Sequence, residues 1–249
     1  MRAILTYHSI DASGSVISVA PERWRDQARW LAGGAVRVVP LDELVRLPAN
    51  TDAIALTFDD AFANFASEAW PPLRDHGLPV TVFVVSEHAG RTNAWHGHEE
   101  AEIPTLPLLD WAALGRIAEE GVTVGAHTRT HPDLRALGGA ALADELEGCA
   151  DRIAAETGRR PATFAYPFGL TSPGVTAAVK ATYAFGCTTE LRALGRRDDA
   201  HALPRLDAYY WREPGMLERW GTPAFRRHLW LRARGRQVRR TLAALGARP

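Results

Sequence analysis

Short apolar runs alternate with longer amphipathic segments along nearly the whole of this 249-residue chain. The runs are bounded by Gly, Pro, Asp or Asn, which is typical of buried parallel strands. The predicted strands are residues 3–7, 36–39, 53–58, 80–85, 122–125, 163–166 and 185–188. Strand–helix alternation of this kind predicts an α/β fold with a parallel sheet, and roughly seven strands favour a barrel or near-barrel. A doubly wound open sheet is the structural alternative.

Three segments between the runs carry helix signals. Residues 21–31 begin with a proline followed by a glutamate, as a first helical turn often does. Residues 110–120 begin with an aspartate that can accept hydrogen bonds from the free amides of the first turn. Residues 140–157 place apolar side chains at helical spacing and stop before Gly158. These helices are expected to cover the outside of the sheet.

Several classes of protein lack support in this sequence. No apolar run reaches the length of a membrane span, and the N-terminus does not have the form of a secretory signal. Neither GxGxxG after a strand nor GxxxxGK[ST] occurs, so a nucleotide site has no basis. Cys149 and Cys187 stand apart in different segments, which suggests a reducing compartment. The expected location is therefore the cytoplasm.

Charge is spread unevenly although the net charge is zero. Residues 219–249 hold nine arginines and no acid, whereas residues 1–218 carry a net charge of −9. This predicts one domain over residues 1–218 and a basic helical extension over residues 219–249. The extension either packs on the barrel with its arginine heads in water, or lies on an anionic membrane. Nucleic acid is not an expected partner, because the aromatic residues do not form a stacking platform.

Polar side chains follow the predicted strands where a parallel barrel places its chemistry. Asp59 and Asp60 end the stretch "AIALTFDD", and two adjacent carboxylates at a strand end are easiest to explain if a cation lies beside them. A helix cap is the other interpretation. His127 and His131 follow residues 122–125 on a loop that Pro132 keeps from being helical. Two imidazoles and a carboxylate would leave coordination positions open, as catalytic metal sites do.

Other candidate site residues surround these four. Thr128 and Thr130 are candidates for hydroxyls that orient the metal ligands. Tyr166, Pro167 and Phe168 lie in "TFAYPFG", which by itself is a rigid turn beside core aromatics. The remaining candidates, each with a structural alternative, are His8 just past the first strand, Trp95 and Trp111 as sugar-stacking rings, and the polar loop at residues 93–102.

Together these stretches resemble the polysaccharide deacetylase family, the NodB-homology carbohydrate esterases of family four. "TFDD", "HTRTH" and "FAYPFG" are similar to its first three motifs, and "LPRLD" at residues 203–207 extends the likeness. "YHSI" near the start resembles a subgroup in which the histidine that serves as acid is displaced to the N-terminus. The resemblance implies a distorted (β/α) barrel, TIM-like, that removes an N-acetyl group from an amino sugar.

The resemblance also implies roles for individual residues. Asp60, His127 and His131 would hold a divalent metal, most commonly Zn²⁺. Asp59 would be the base and His8 the acid, while the backbone N–H of Phe168 would help to bind the oxyanion. The metal would polarise the acetamide carbonyl and activate water, since an acetamide is a poor electrophile with a poor leaving group.

Two positions depart from the family pattern. Many members carry an arginine that pairs with the base, and Ala165 stands in its place, so Asp59 needs another partner or the field of the metal. Ala61 replaces a frequent glycine, which is a mild change if the backbone there is helical. Two other functions stay open: an amide or ester hydrolase on the same metal scaffold, and a non-catalytic glycan-binding or membrane-associated module.

Overall fold

A parallel sheet of eight strands forms the centre of the computed structural model, which describes residues 1–97 and 103–244. The strands are β1 (Arg2–Tyr7), β2 (Ser9–Ile10), β3 (Ser18–Val19), β4 (Arg37–Val38), β5 (Ala53–Phe58), β6 (Val80–Val84), β7 (Thr123–Ala126), β8 (Thr163–Ala165), β9 (Phe185–Cys187) and β10 (Leu206–Asp207). The strands of the sheet follow the order β10-β1-β5-β6-β7-β8-β9, and β4 pairs with β5 beside that path. The short strands β2 and β3 pair with each other.

The segment at residues 203–207 closes this sheet into a distorted barrel. On one side Leu203 forms a parallel bridge with Cys187 of β9. On the other side β10 pairs in parallel with β1, with Leu206 opposite Leu5. The same stretch of chain therefore bonds to both edges of the sheet. The predicted α/β barrel with about seven parallel strands is confirmed.

Helices cover the outside of the barrel. They are α1 (Pro21–Ala32), α2 (Leu41–Arg46), α3 (Trp70–Asp75), α4 (Trp111–Glu119), α5 (Gly139–Ala143), α6 (Cys149–Thr157), α7 (Pro173–Thr182) and α8 (Pro223–Ala244). Asp110 caps α4 by accepting a hydrogen bond from the Ala113 amide, as its position in the sequence predicts. Gly158 ends α6 with a φ of 72°, a left-handed conformation that glycine adopts without strain.

Parts of the secondary structure differ from the sequence prediction. Each predicted strand overlaps an observed one, but β2, β3 and β10 have only two residues each and were not predicted. Helices α2, α3 and α7 were also missed. The single helix expected at residues 140–157 is interrupted by a π-helical turn at Asp144–Gly148, which separates α5 from α6. Short elements of this kind carry too few residues for a periodic pattern.

Apolar side chains from five strands fill the inside of the barrel. Ile4, Ala55, Phe83, Ala165 and Cys187 belong to one buried cluster. Other apolar clusters lie between the strands and the surrounding helices. The carboxyl ends of β1, β5, β7, β8 and β9 then meet at one edge, as parallel pairing requires. This edge holds the polar residues that the sequence placed after strands.

Helix α8 packs on the barrel through its first half. Phe225 and Leu229 are buried in the same cluster as Trp24 and Trp211. The helix begins at Pro223, inside the range predicted as a basic extension. In the part of the chain that the structure describes, no helix is both long enough and apolar enough to cross a membrane.

Packing around Gly125 yields a test of the barrel interior. A Cβ atom at this position would lie 2.5 Å from Phe83 Cδ1 and 2.8 Å from Thr163 Oγ1. We expect Gly125→Ala to lower the free energy of unfolding by about 1–3 kcal/mol through overpacking, measured by urea unfolding.

The matched control is Gly115→Ala in α4, where a Cβ atom meets nothing within 4 Å. This change should raise the free energy of unfolding by about 0.5–1 kcal/mol, because alanine is the better helix former. Equal effects of the two substitutions would show that the close approach of β6, β7 and β8 at Gly125 is wrong.

Candidate active site

Two buried carboxylates lie where β5 ends. The Asp59 amide still donates to Tyr7 O of β1, at 2.9 Å, so the strand ladder holds this residue. The chain then turns sharply, with φ of 68° at Asp60 and 57° at Ala61. The condition under which Ala61 would be a mild change, a right-handed helical backbone, is therefore not met. The left-handed conformation explains why glycine would suit this position.

A histidine loop follows β7 and faces these carboxylates. His127 Nδ1 lies 2.7 Å from Ala165 O, and since a carbonyl oxygen only accepts, this nitrogen donates and Nε2 is the ring atom that can bind a metal when the imidazole is neutral. His127 Nε2 lies 3.4 Å from Asp60 Oδ1, and His131 Nε2 lies 3.7 Å from the same oxygen. The ligand atoms of Asp60, His127 and His131 all lie within 4.8 Å of one another. The structure thus brings the three predicted metal ligands together.

The chemistry of this cluster fits a cation. Asp60 Oδ1 is buried and has no hydrogen-bond partner among the described residues. Burial acts to raise the pKa of Asp60, but the imidazoles of His127 and His131 hold it well below its usual range. An ionised, buried oxygen with no donor needs a positive charge nearby. A divalent ion coordinated by one carboxylate and two imidazoles provides it.

The two imidazoles respond differently to the same carboxylate. Burial acts to lower the pKa of His127, but the approach of Asp60 outweighs it and raises the pKa above the ordinary histidine value. Burial dominates at His131 and lowers its pKa to about 3, so this ring is neutral at physiological pH. Only a neutral ring has a lone pair to offer a metal, and on binding His127 would exchange its proton for the ion.

Aromatic rings hold His131 in place. The Trp95 ring stacks on the imidazole, with centroids 4.4 Å apart and an angle of 23° between the planes. Phe168 meets the same imidazole edge-on at 4.7 Å. Because one face of Trp95 covers His131, its contact in this structure is with a metal ligand rather than with open space for a sugar.

Asp59 makes the ion pair that the sequence left open. Arg205 NH1 and NH2 donate to Asp59 Oδ1 and Oδ2, each at 2.7 Å, and both side chains are buried. Arg205 Nε donates to Thr188 O at 2.9 Å, which fixes the guanidinium. Arg205 therefore takes the place of the family arginine, whose position in this chain is occupied by Ala165. It reaches Asp59 from the closing segment of the barrel.

The Arg205 pair sets the charge of Asp59. Burial acts to raise the pKa of this carboxyl, but the guanidinium holds it below its ordinary value, so Asp59 is ionised at neutral pH. His8 Nε2 lies 3.8 Å from Asp59 Oδ2 on the other side. The predicted base and acid are therefore neighbours.

A cavity of about 110 Å³ lies between His8 and the cluster of Asp60, His127 and His131. Its lining residues are His8, Ile17, Asp60, Asn93, Trp95, Ile103, His127, His131 and Phe168. Phe168 is 44% exposed at the mouth. Among the described hydrogen bonds of its turn, the amides of Gly169 and Leu170 donate to backbone carbonyls and the Phe168 N–H does not. That amide is thus available to an oxyanion.

Other predicted residues lie outside the cavity. The Tyr166 hydroxyl donates to His201 O at 2.6 Å, and Pro167 is buried beside it in the turn. Trp111 packs between two core clusters, with Arg152 over its ring at 5.5 Å. A sugar-stacking role for Trp111 finds no support in this position. Of the polar loop at 93–102, residues 98–102 lie outside the described residues.

The threonine hydroxyls of the histidine loop bond to the loop backbone and to Glu145 instead of to the rings. Thr128 Oγ1 accepts from the His131 amide at 2.9 Å. Thr130 Oγ1 donates to Glu145 Oε1 at 2.6 Å, and the amides of Arg129 and Thr130 donate to Glu145 Oε2. The expected contacts of these hydroxyls with ring nitrogens or ligand carboxylates are not among their hydrogen bonds. Glu145, from the π-helical turn, is the residue that secures this loop.

Sequence reasoning missed two residues of the site, Arg205 and Glu145. Arg205 stands inside "LPRLD", a stretch already noted for its family likeness, so a signal for it existed. Glu145 lies on an amphipathic helix among other acids, where nothing distinguishes it from a solvated residue. Both act across long sequence separations that only the fold closes.

Backbone strain concentrates at this site. The described residues other than glycine that have positive φ are Asp60, Ala61, Thr128, His131 and Phe168. Each belongs to the cavity or to a loop that forms it. Conformations of this kind cost about 1–3 kcal/mol each and persist where surrounding contacts enforce them.

The ion pair between Arg205 and Asp59 can be tested through stability. Arg205→Met leaves a buried carboxylate unpaired, so we expect the free energy of unfolding of the metal-free protein to fall by about 3–5 kcal/mol at pH 8. The loss should shrink at pH 5. In the native chain the folded-state pKa of Asp59 is depressed, and its contribution is lost only as pH falls below the unfolded value of about 3.9. In the variant the main opposing charge is gone and burial acts to raise the folded-state pKa of Asp59, so protonation stabilises the folded form as pH falls.

Urea unfolding in chelator at both pH values measures this difference. The control combines Arg205→Met with Asp59→Asn, which removes the unpaired charge and should recover part of the loss. A loss that is equal at pH 8 and pH 5 would contradict the assignment of the pair.

Comparisons with known proteins agree with this geometry. The family model described as polysaccharide deacetylase matches residues 46–185. YxkH of Bacillus subtilis is 25% identical over 219 residues, covering 86% of this chain and 72% of that protein. A poly-beta-1,6-N-acetyl-D-glucosamine N-deacetylase of Staphylococcus epidermidis is 22% identical over 203 residues, covering 76% of this chain and 67% of that one.

A solved structure supports the fold. The Bacillus anthracis protein BA0330 superposes with a TM-score of 0.68 at 22% identity, over 83% of this chain. The match spans 64% of that longer protein. Since the family model covers more than half of the sequence, the chain belongs to the polysaccharide deacetylase family.

Proposed function

We propose that this protein hydrolyses the N-acetyl group of an amino sugar, using a divalent metal ion held by Asp60, His127 and His131. The observation that carries the proposal is Asp60 Oδ1, buried without a donor and facing two imidazoles. Asp59 and His8 lie beside this cluster. A metal site with a base and an acid beside it is what amide hydrolysis requires.

Zinc is the ion we propose, because two imidazoles and one carboxylate with open positions are typical of catalytic zinc. When bound, the ion supplies the Lewis acidity that an acetamide needs, since its carbonyl carbon is a weak electrophile. His127 is oriented for this ligation by its bond to Ala165 O.

The protein's own groups supply the proton transfers. Asp59, kept ionised by Arg205, accepts a proton from the attacking water. The Phe168 amide donates to the oxygen that becomes negative as the carbonyl carbon turns tetrahedral. His8 protonates the departing nitrogen, which would otherwise have to leave as an amide anion. The products are acetate and a free amino sugar.

The substrate class follows from the family and its relatives. The Staphylococcus relative is named for an N-acetylglucosamine polymer, which supports an N-acetylated hexosamine as substrate here. Membership of the subgroup with the N-terminal histidine motif and a cytoplasmic location stay predictions. The first is supported by the position of His8 beside Asp59.

A metal titration combined with an acetate assay tests the proposal. The wild-type protein should bind one equivalent of Zn²⁺ and release acetate from N-acetylglucosamine oligomers. Asp60→Asn, His127→Ala and His131→Ala should each lower metal affinity by more than the roughly 10–100-fold that outer-shell changes cost. Asp59→Asn should keep the metal and lose about 10²–10⁴-fold in kcat.

His76→Ala, at an exposed histidine, is the matched control and should change neither quantity. Metal-free activity, or full activity of His127→Ala, would refute the proposal. Formate or another acid released in place of acetate would favour the alternative of an amide or ester hydrolase on the same scaffold. Metal binding with no hydrolysis of any substrate tested would favour a glycan-binding module.

We also propose that the outer face of α8 contacts an anionic membrane. Trp230, Leu231 and Val238 are among the few large apolar side chains that are exposed in the described structure, at 56%, 51% and 58%. Arg234 lies over the Trp230 ring at 5.1 Å, so cationic and apolar groups share this face. Arginine contributes about 1 kcal/mol per residue near an anionic bilayer.

Vesicle co-sedimentation tests this contact. The protein should sediment with phosphatidylglycerol vesicles and not with phosphatidylcholine vesicles, and binding should weaken as salt rises. Trp230→Ser with Leu231→Ser should abolish sedimentation, whereas Val16→Ser, at an equally exposed apolar residue elsewhere, should not. Equal binding to both vesicle types, or none to either, would overturn the membrane proposal and leave the deacetylase proposal untouched.

A further inference from the structure

Arg236 of α8 is half-buried and contacts residues outside its own helix. Arg236 NH1 donates to Thr189 O at 2.7 Å, and Arg236 NH2 donates to Thr189 Oγ1 at 2.9 Å. Its guanidinium also lies over the Tyr210 ring at 5.8 Å. Arg227, an exposed arginine of the same helix, makes no comparable contact among the described residues. Arg236 thus differs from the solvated arginines around it.

Thr189 connects this helix to the mouth of the active site. Its hydroxyl donates to Phe168 O at 3.3 Å. A Cβ atom at Gly169, which has a φ of 67°, would lie 2.1 Å from Thr189 Oγ1. The turn of residues 167–169 therefore rests directly on Thr189, and the position of Thr189 sets where the Phe168 amide points.

The residue before Thr189 connects the same segment to the catalytic base. Thr188 O accepts from Arg205 Nε at 2.9 Å, and the Arg205 guanidinium donates hydrogen bonds to both oxygens of Asp59. The Glu190 amide donates to Thr188 Oγ1, and Glu190 O accepts from the Arg205 amide. Residues 188–190 thus form a short strap between the oxyanion donor and the partner of the base.

We propose that Arg236 is a positioning residue for catalysis, which locks the strap at residues 188–190 so that Phe168 and the Arg205–Asp59 pair keep their productive geometry. The first half of α8 is anchored by Phe225 and Leu229, whereas Arg236 lies two turns further along. Its paired hydrogen bonds hold the second half of the helix against the strap. The basic C-terminal helix is on this view part of the catalytic machinery.

This proposal rests on the proposed deacetylase function for its kinetic test and on the geometry alone for a second one. Arg236→Ala should lower kcat about tenfold with KM changed less than twofold, since the strap supports groups that act in the transition state. Arg236→Lys, which keeps the charge and one donor, should recover part of the loss. Arg227→Ala, at an exposed arginine of the same helix, should be neutral.

A double-mutant cycle tests the route through Thr189. Thr189→Val removes the hydroxyl that contacts both Arg236 and Phe168, and Thr189→Ser retains it. The Arg236→Ala, Thr189→Val protein should be no slower than Arg236→Ala alone, because both changes break the same connection. Additive losses in kcat, or a loss that appears in KM alone, would overturn the proposal.

Amide hydrogen exchange gives a readout that does not need activity. In Arg236→Ala, exchange at residues 168–170 and 186–190 should rise at least about tenfold over wild type, with no rise in Arg227→Ala. Unchanged exchange in these segments would overturn the proposal even if the enzyme slows. If the wild-type protein releases no acetate but exchange rises as expected, the deacetylase proposal fails and the coupling of α8 to the site stands.

Discussion

Asp59 and Asp60 are adjacent carboxylates buried at the end of a single strand, and the surrounding structure has to neutralise both. The structure neutralises the two carboxylates in different ways. Asp59 is gripped by Arg205 through two hydrogen bonds of 2.7 Å, whereas Asp60 Oδ1 has no donor and faces two imidazoles. Because like charges this close repel, the pair is stable only if the two oxygens are assigned to different cations. One of those cations, Arg205, is part of the chain, and the other is the metal ion proposed for the site.

Asp59 and Asp60 therefore have separate partners, whereas a metal ion alone would have to neutralise both carboxylates. With Arg205 in place, the ionised state of Asp59 does not depend on the field of an ion, so the base keeps its charge in the metal-free protein. Asp60 can then serve as a ligand without competing for the same partner. This arrangement is accompanied by backbone strain, because five of its residues have a left-handed conformation: Asp60, Ala61, Thr128, His131 and Phe168. It is held by specific bonds, such as that from the His131 amide to Thr128 and those from the loop amides to Glu145.

The closing segment of the barrel links fold to chemistry. Residues 203–207 bond to β9 on one side and β1 on the other, and Arg205 projects from between these contacts toward Asp59. Thr188 at the end of β9 holds the guanidinium, and α8 contacts the next residue through Arg236. Closure of the barrel, neutralisation of the base and docking of the last helix therefore involve one short stretch of chain. A helix outside the family match thus contacts Thr189, and the Thr189 hydroxyl in turn donates to Phe168 O, inside the match.

The sequence by itself determined the α/β class, the strands that the site residues follow and the four candidate site residues Asp59, Asp60, His127 and His131. It could do so because buried parallel strands are continuous apolar runs, and polar residues directly after them meet at one edge of the sheet. Only the tertiary structure decided that Arg205 replaces the arginine missing at Ala165, that Glu145 secures the histidine loop, that Ala61 is left-handed and that Trp111 packs in the core. Those outcomes depend on contacts between residues far apart in the chain, such as the 146 positions between Arg205 and Asp59. Local periodicity and residue type do not indicate which distant side chain will fill a given space.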